Sequence, residues 1–146
     1  MTTRKHEKHQ AHLFLFIVIF LFHYTTVFAN SPESIDNVET VDAEAFIDLA
    51  ELTPDLVILD SRISEDRKLG YIEGSISLLD KNTNCQTLFK FIPSKSTATL
   101  FYCNGVKCGR SAKAIKLALA CGYSNLYWFR GGFEEWLAKG YPYLQK

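Results

Sequence analysis

Apolar side chains in this chain fall into short blocks separated by polar, glycine-marked turns. Leu56-Val-Ile-Leu-Asp60, Ser75-Ile-Ser-Leu-Leu79, Ala98-Thr-Leu-Phe-Tyr-Cys103 and Asn125-Leu-Tyr-Trp-Phe129 are largely apolar runs of strand length. Between them the apolar residues recur at helical spacing. Asp42 is placed to cap a helix that carries Phe46, Leu49 and Ala50 on one face, with Glu44 in its first turn, where the helix dipole favours a carboxylate. The residue three after Asp42 is Ala45, so no full capping box is expected. Further helices are predicted over Ser64–Leu69, closed by Gly70, and over Asn84–Phe91, ended by Pro93. Two more are predicted over Ser111–Cys121, stopped by Gly122, and over Phe133–Lys139, stopped by Gly140. Residues 30–37 are polar, contain one proline and read as a loose lead-in. Unbroken strands alternating with helices predict an α/β domain whose mostly parallel sheet is covered by helices on both faces. In such sheets ligands meet the carboxyl ends of the strands, and both Asp60 and Cys103 stand at such ends.

One block does not fit that alternation. Leu13–Phe22 is an unbroken run of apolar residues, preceded by Arg4, Lys5 and Lys8 against a single acid, Glu7, and followed by Val27-Phe28-Ala29. A basic start, a short apolar stretch and a small-residue end describe a secretory signal peptide cleaved after Ala29, leaving residues 30–146 as one domain in a periplasm-type location. A bilayer needs about twenty apolar residues, so an uncleaved anchor through residues 13–27 is the alternative.

Setting residues 1–29 aside changes the chemistry that is open to the rest. It leaves 13 of the 16 basic and 15 of the 16 acidic residues, a slightly acidic balance with no basic arm or stripe, which argues against a nucleic-acid partner. All four histidines, His6, His9, His12 and His23, lie before Ala29. The remaining domain has no imidazole, which excludes Ser-His-Asp and Cys-His catalysis and any histidine-containing zinc site. An all-cysteine metal site would require Cys85, Cys103, Cys108 and Cys121 together without the usual two-residue spacing, so neither a metal nor a cofactor is expected.

The chemistry is concentrated in Phe101-Tyr-Cys-Asn-Gly-Val-Lys-Cys-Gly-Arg-Ser111. A thiol at a strand end, facing a loop that enters a helix N-terminus, has free N–H groups and a helix dipole that favour an anion. Such surroundings lower a cysteine pKa and make it a nucleophile, Cys103; the plainer reading is a small buried hydrophobe. The cup for a bound anion would be formed by Asn104, Gly105, Val106, Lys107, Cys108, Gly109 and Arg110, with the two cations as its charges. Cys108, four residues beyond the nucleophile's neighbour in the same loop, is a possible redox partner.

Four pieces of the chain together resemble a single-domain rhodanese: Val57-Ile-Leu-Asp-Ser-Arg62, Gly70–Leu78, Phe101-Tyr-Cys103 with Gly109-Arg-Ser-Ala-Lys113, and Gly122–Tyr141. The resemblance implies a rhodanese-like domain with a five-stranded sheet and a Cys103 that carries sulfane sulfur as a persulfide. It further implies a loop that cradles a small sulfur-containing anion such as thiosulfate, and a thiol or cyanide as acceptor. Three departures stand out. The arginine usually found five residues after the cysteine is replaced by Cys108, and the nearest arginine, Arg110, lies seven on. Tyr71 and Glu73 stand where the family commonly has His and Pro, and Cys108 adds a second thiol to the loop. A thiol–disulfide domain using Cys103 and Cys108, and a non-catalytic binding module of the same fold, are the alternatives to a sulfurtransferase.

The remaining conspicuous residues have structural readings. Asp60 is expected to orient Arg62 or a nearby backbone, and Arg130 to meet an anion or a structural partner. Trp128 and Trp136 read as packing, and Gly131-Gly132 as a tight strand-to-helix turn. Cys85 and Cys121 read as packing positions that an oxidising compartment could join.

Overall fold

A computed structural model describes residues 31–145. The expected leader and anchor alternative, residues 1–29, lie outside the described residues; among those described, no helix is long and apolar enough to cross a membrane. The elements run β1 (Glu39–Val41), α1 (Ala43–Leu52), β2 (Val57–Asp60), α2 (Ser64–Lys68), β3 (Ile76–Ser77) and α3 (Cys85–Phe91), then β4 (Thr99–Tyr102), α4 (Arg110–Ala120), β5 (Leu126–Phe129) and α5 (Gly132–Ala138). A 3-10 turn at Asp80–Asn82 leads into α3.

The five strands form one parallel sheet in the order β1-β5-β4-β2-β3. β4 is its centre and is buried at all four residues. Its side chains alternate between two cores. Phe101 joins the core under α3 and α4 with Leu59, Leu88, Ile115 and Trp128. Leu100 and Tyr102 join the core under α1 and α5 with Phe46, Phe129 and Trp136. Burial on both faces explains why the run reads as continuous apolar sequence rather than alternating. Each such large side chain contributes about 1.5–3 kcal/mol by leaving water. Because all strands are parallel, Asp60, Tyr102 and Phe129 end on one edge, and the register sets Asp60 directly beside Tyr102 and Tyr102 beside Phe129.

The helix starts follow local chemistry. Asp42 caps α1, its carboxylate accepting from the Ala45 N–H at 2.9 Å. Asn84 and Thr87 form a reciprocal capping box on α3. Two strands differ from the sequence reading. The edge strand β1 has a polar Glu-Thr pair and one buried residue, Val41, too short and too exposed for an apolar run to announce it. The strand expected over Ser75–Leu79 contracts to Ile76–Ser77, because only Leu59 and Asp60 of β2 remain to pair with it. The lead-in is also less loose than expected: Ser31 and Ile35 are buried, and the Pro32 carbonyl and Glu33 carboxylate hold Arg130.

Cys85 and Cys121 are joined in a disulfide with Cα atoms 5.5 Å apart, tying the start of α3 to the end of α4. The bond encloses 36 residues of sequence, which in the chain-entropy account corresponds to roughly 4 kcal/mol of restriction on the unfolded state. Replacing both cysteines with serine is expected to lower the urea midpoint of the unreduced protein by an amount worth about 2–4 kcal/mol; a midpoint unchanged from wild type would show that the bond contributes nothing to the fold.

Candidate functional site

The carboxyl edge of the sheet is organised by Asp60. Its carboxylate, fully buried, accepts from the Arg62 N–H at 3.0 Å, the Arg62 Nε and Nη2 at 2.9 and 2.8 Å, Arg67 Nη1 at 2.8 Å and the Tyr102 hydroxyl at 2.8 Å. Arg62 is only 2% exposed; its Nη2 also donates to the Gly70 carbonyl, and its guanidinium lies 4.2 Å above the Phe133 ring. Arg67 reaches on to the Ser75 hydroxyl and carbonyl at 2.9 and 2.6 Å and stacks on Tyr71 at 4.0 Å. Two guanidiniums share the Asp60 carboxylate, while the carboxylates of Asp66 and Glu134 line the groove beside the same edge.

Burial pushes the Asp60 carboxyl up, but the hydrogen bonds and charge of Arg62 outweigh it and hold the group below the usual carboxylate range. Tyr102 moves the other way. Burial, and then the adjacent Asp60 charge, push its phenol up to about 12.

Cys103 follows Tyr102 and is 2% exposed. Its carbonyl accepts from the Phe133 N–H at 2.9 Å, and the Asn104 carbonyl accepts from the Glu134 N–H at 2.7 Å. Both acceptances come from the first turn of α5. In a trans peptide the N–H points opposite to the C=O, so the amides of Asn104 and Gly105 face away from α5. The approach is close: Gly132, at φ +60°, lies so near that a Cβ would strike the Cys103 carbonyl oxygen, and at Gly105 one would strike the Glu134 carboxylate. The tight turn expected at Gly131-Gly132 therefore serves the loop as well as the helix start.

From Gly105 the chain makes a turn closed by the Cys108 N–H donating to the Gly105 carbonyl at 2.8 Å. That commitment removes the Cys108 amide from the donors expected to line the cup. The turn returns Cys108 onto Cys103, and the two are joined in a disulfide with Cα atoms 6.1 Å apart. Val106 and Lys107, at the tip, are exposed. Gly109 precedes α4 with no side-chain cap, so the first-turn amides of α4 are left for another acceptor. Arg110 is partly buried, its Nη1 3.8 Å from Cys108 Sγ and 3.9 Å from the Asp66 carboxylate. Asn104 turns its amide to the same carboxylate at 2.8 Å. Trp128 Nε1 donates to Ser111 Oγ at 2.9 Å, fixing the start of α4 against β5. Beside the loop lies a groove of about 220 Å³ lined by Arg62, Asp66, Asn104, Phe133 and Glu134, with Leu69 on its rim.

The structure thus brings Cys103, Cys108 and Arg110 together, leaves Lys107 in solvent and stations Asp60 and Arg62 beneath. Arg130 is drawn away, its Nε on the Pro32 carbonyl at 2.8 Å and its Nη2 on Glu33 at 3.0 Å. Sequence reasoning missed Arg67, Tyr102 and Ser75 around Asp60, and Asp66 behind Asn104 and Arg110. Equal-length apolar runs ending at Asp60 and Tyr102 hint at the first pairing; nothing in a short charged helix singles out Asp66 and Arg67.

The family model of the rhodanese-like domain matches residues 42–139. The chain belongs to the rhodanese-like family. A tRNA uridine(34) hydroxylase of Wolbachia pipientis is 30% identical over 107 residues, 69% of this chain and 36% of that protein, so the chain spans about a third of the length of that relative. A rhodanese domain-containing protein of Drosophila melanogaster is 32% identical over 97 residues, covering 59% of this chain and 86% of that one. Among solved structures, the polysulfide-sulfur transferase homodimer of Wolinella succinogenes superimposes with a TM-score of 0.62 at 21% identity, over 75% of this chain and 80% of that chain. The parallel five-stranded sheet is the rhodanese-like fold, and the rhodanese-like neighbours of this chain include a sulfur transferase.

Tyr102 supplies a measurable signature of the Asp60 cluster. An unfolded tyrosine loses its proton near pH 10 and the folded one near 12, so the fold keeps this contribution below pH 10 and loses it as pH rises to about 12. The loss amounts to about 3 kcal/mol for two pKa units. Tyr102→Phe should be less stable at neutral pH by about 1.5–3 kcal/mol, the worth of a hydrogen bond to a charged group, and should show a shallower decline between pH 10 and 12. Equal alkaline slopes in urea titrations of the two proteins would refute the assignment.

Proposed function

We propose that the protein is a sulfurtransferase in which Cys103, when reduced, takes the outer sulfur of thiosulfate or a similar small donor. The Cys103 thiolate attacks the outer sulfur, the sulfur–sulfur bond of the donor breaks, and its electron pair leaves on sulfite. Cys103 then holds the transferred atom as a persulfide anion for a thiol or cyanide acceptor. The observation that carries the reading is the position of Cys103: a nearly buried residue at the end of the central strand, followed by amides turned away from α5 and then by the uncapped start of α4. Negative charge is present at every stage and only changes place within that set of donors, so fixed electrostatics can supply most of the catalysis. No general base is needed if the site favours the thiolate.

Arg110 is the cation best placed to meet the donor. It is partly buried, with Nη1 near both Cys108 Sγ and the Asp66 carboxylate, whereas Lys107 is exposed at the tip. With dithiothreitol present, reduced wild-type protein is expected to release sulfite from thiosulfate and Cys103→Ser to release none. Arg110→Ala should lose roughly ten- to hundredfold in kcat/KM, the equivalent of one charge-assisted contact, and Lys107→Ala much less. Sulfite release undiminished in Cys103→Ser would sink the proposal.

A second reading, a thiol–disulfide domain, is favoured by the Cys103–Cys108 bond. It is compatible with sulfur transfer when the bond opens and closes in the cycle. We also propose that the domain is exported. The leader pattern before Ala29 suggests it, and the pairing of all four cysteines suits an oxidising compartment. N-terminal sequencing of the exported chain should begin at Asn30; a membrane-bound chain that retains Met1 would favour the anchor.

A further inference from the structure

Once the role of Cys103 is granted, the loop contains one group with no part in taking up sulfur: the thiol of Cys108. In the structure its sulfur is bonded to Cys103 Sγ, the atom that would be the inner sulfur of a Cys103 persulfide. The hydrogen-bonded turn from Gly105 to Cys108 carries it there, with the two Cα atoms 6.1 Å apart. A disulfide can span that separation without further backbone movement. Arg110, with Nη1 3.8 Å from Cys108 Sγ, places a cation on this sulfur, and a neighbouring guanidinium favours the thiolate, the attacking form. The other two cysteines are committed to each other at the far end of α4, an eleven-residue helix roughly 16 Å long. Cys108 is therefore the one thiol of the chain within reach.

We propose that Cys108 is a resolving cysteine, an internal acceptor that discharges the Cys103 persulfide as hydrosulfide; the inference rests on the sulfurtransferase reading above. In this step Cys108 Sγ attacks Cys103 Sγ, forming the bond seen in the structure. The bond from Cys103 Sγ to the transferred sulfur breaks, and its electron pair leaves on that sulfur. The proton given up by Cys108 departs with it, so a persulfide anion and a thiol become a disulfide and hydrosulfide, with charge and atoms balanced. In this step the carried sulfur is reduced as Cys108 Sγ is oxidised, and over uptake and discharge together two thiols have become a disulfide.

An external dithiol must then supply two electrons and two protons to restore both thiols. Exposure sets its point of attack: Cys103 is 2% exposed, while Cys108 is only partly buried, so the dithiol meets Cys108 Sγ first and expels Cys103 as the leaving thiolate. Over a full cycle, thiosulfate and a dithiol give sulfite, hydrosulfide and a disulfide. The bond between Cys103 and Cys108 is on this view a product of turnover rather than damage that stops it.

The test is a single turnover. Full-length protein with Cys103 and Cys108 reduced is freed of reductant under nitrogen and given one equivalent of thiosulfate; sulfite and hydrosulfide are measured, and the chain is alkylated and weighed intact. Wild type is expected to yield one sulfite and one hydrosulfide per chain, to return to the mass of the disulfide form, and to do so at a rate independent of protein concentration. Cys108→Ser, with Cys108→Ala as its control, should still release sulfite but stop as a chain heavier by one sulfur atom, its hydrosulfide yield lower by roughly tenfold or more. If wild type releases sulfite yet keeps the extra sulfur with Cys108 open to alkylation, or if Cys108→Ser gives hydrosulfide as fast as wild type, Cys108 is not the resolving thiol and the sulfurtransferase reading still stands. If neither wild type nor Cys108→Ser releases sulfite, the sulfurtransferase reading itself fails.

Discussion

A single carboxylate holds the working edge of this domain in place. Asp60 ends β2 with no solvent exposure and gathers five donors from Arg62, Arg67 and Tyr102. Those donors come from the segment after β2, from α2 and from the end of β4, and through Arg62 and Arg67 the cluster reaches the Gly70 and Ser75 carbonyls. Removing the carboxylate would leave two guanidiniums without a counter-charge in a nearly dry site, which is the costly way to break a buried ion pair. The benefit is geometric. Tyr102 immediately precedes Cys103, so the cluster that fixes the strand end also fixes the point from which the loop departs.

The loop is then clamped from a second direction by α5, whose first amides take the Cys103 and Asn104 carbonyls. Gly132 permits this contact because a side chain there would strike the backbone of Cys103 and Asn104, whereas at Gly105 the neighbour is the movable Glu134 carboxylate. From these two constraints follow the amides turned away from α5, the turn at Gly105–Cys108 and the meeting of the two thiols. Arg110 completes the arrangement by standing between Asp66 and Cys108.

Much of this was legible in the chain because burial on both faces writes itself as apolar sequence. β2, β4 and β5 are such strands, and their ends gave Asp60 and Cys103 as neighbours on one edge. β1 was not legible, since two of its three residues face solvent and its pairing with β5 is made by backbone alone. The Asp60–Arg62 pair, two residues apart, was within reach of local reasoning. The Arg67, Ser75 and Tyr102 contacts arise only once the helix and strands are assembled. The Cys85–Cys121 disulfide was open as a possibility in an oxidising compartment, but with 36 residues between them only the docking of α3 on α4 shows that they meet. Arg130 was left open between an anion and a structural partner, and the lead-in supplies the structural partner through the Pro32 carbonyl and the Glu33 carboxylate.

The grip of α5 on the loop also bears on when the site comes into being. Cys103 and the helix that orients its peptide groups are separated by about thirty positions, and α5 is the last helix of the described chain. A chain still threading outward from its N-terminus can form β2, β4 and α4 and yet lack the partner that turns the Cys103 and Asn104 carbonyls aside. Until α5 docks, nothing fixes the direction of those two peptide groups. On the sulfurtransferase reading proposed above, reactivity at Cys103 is thus tied to completion of the fold.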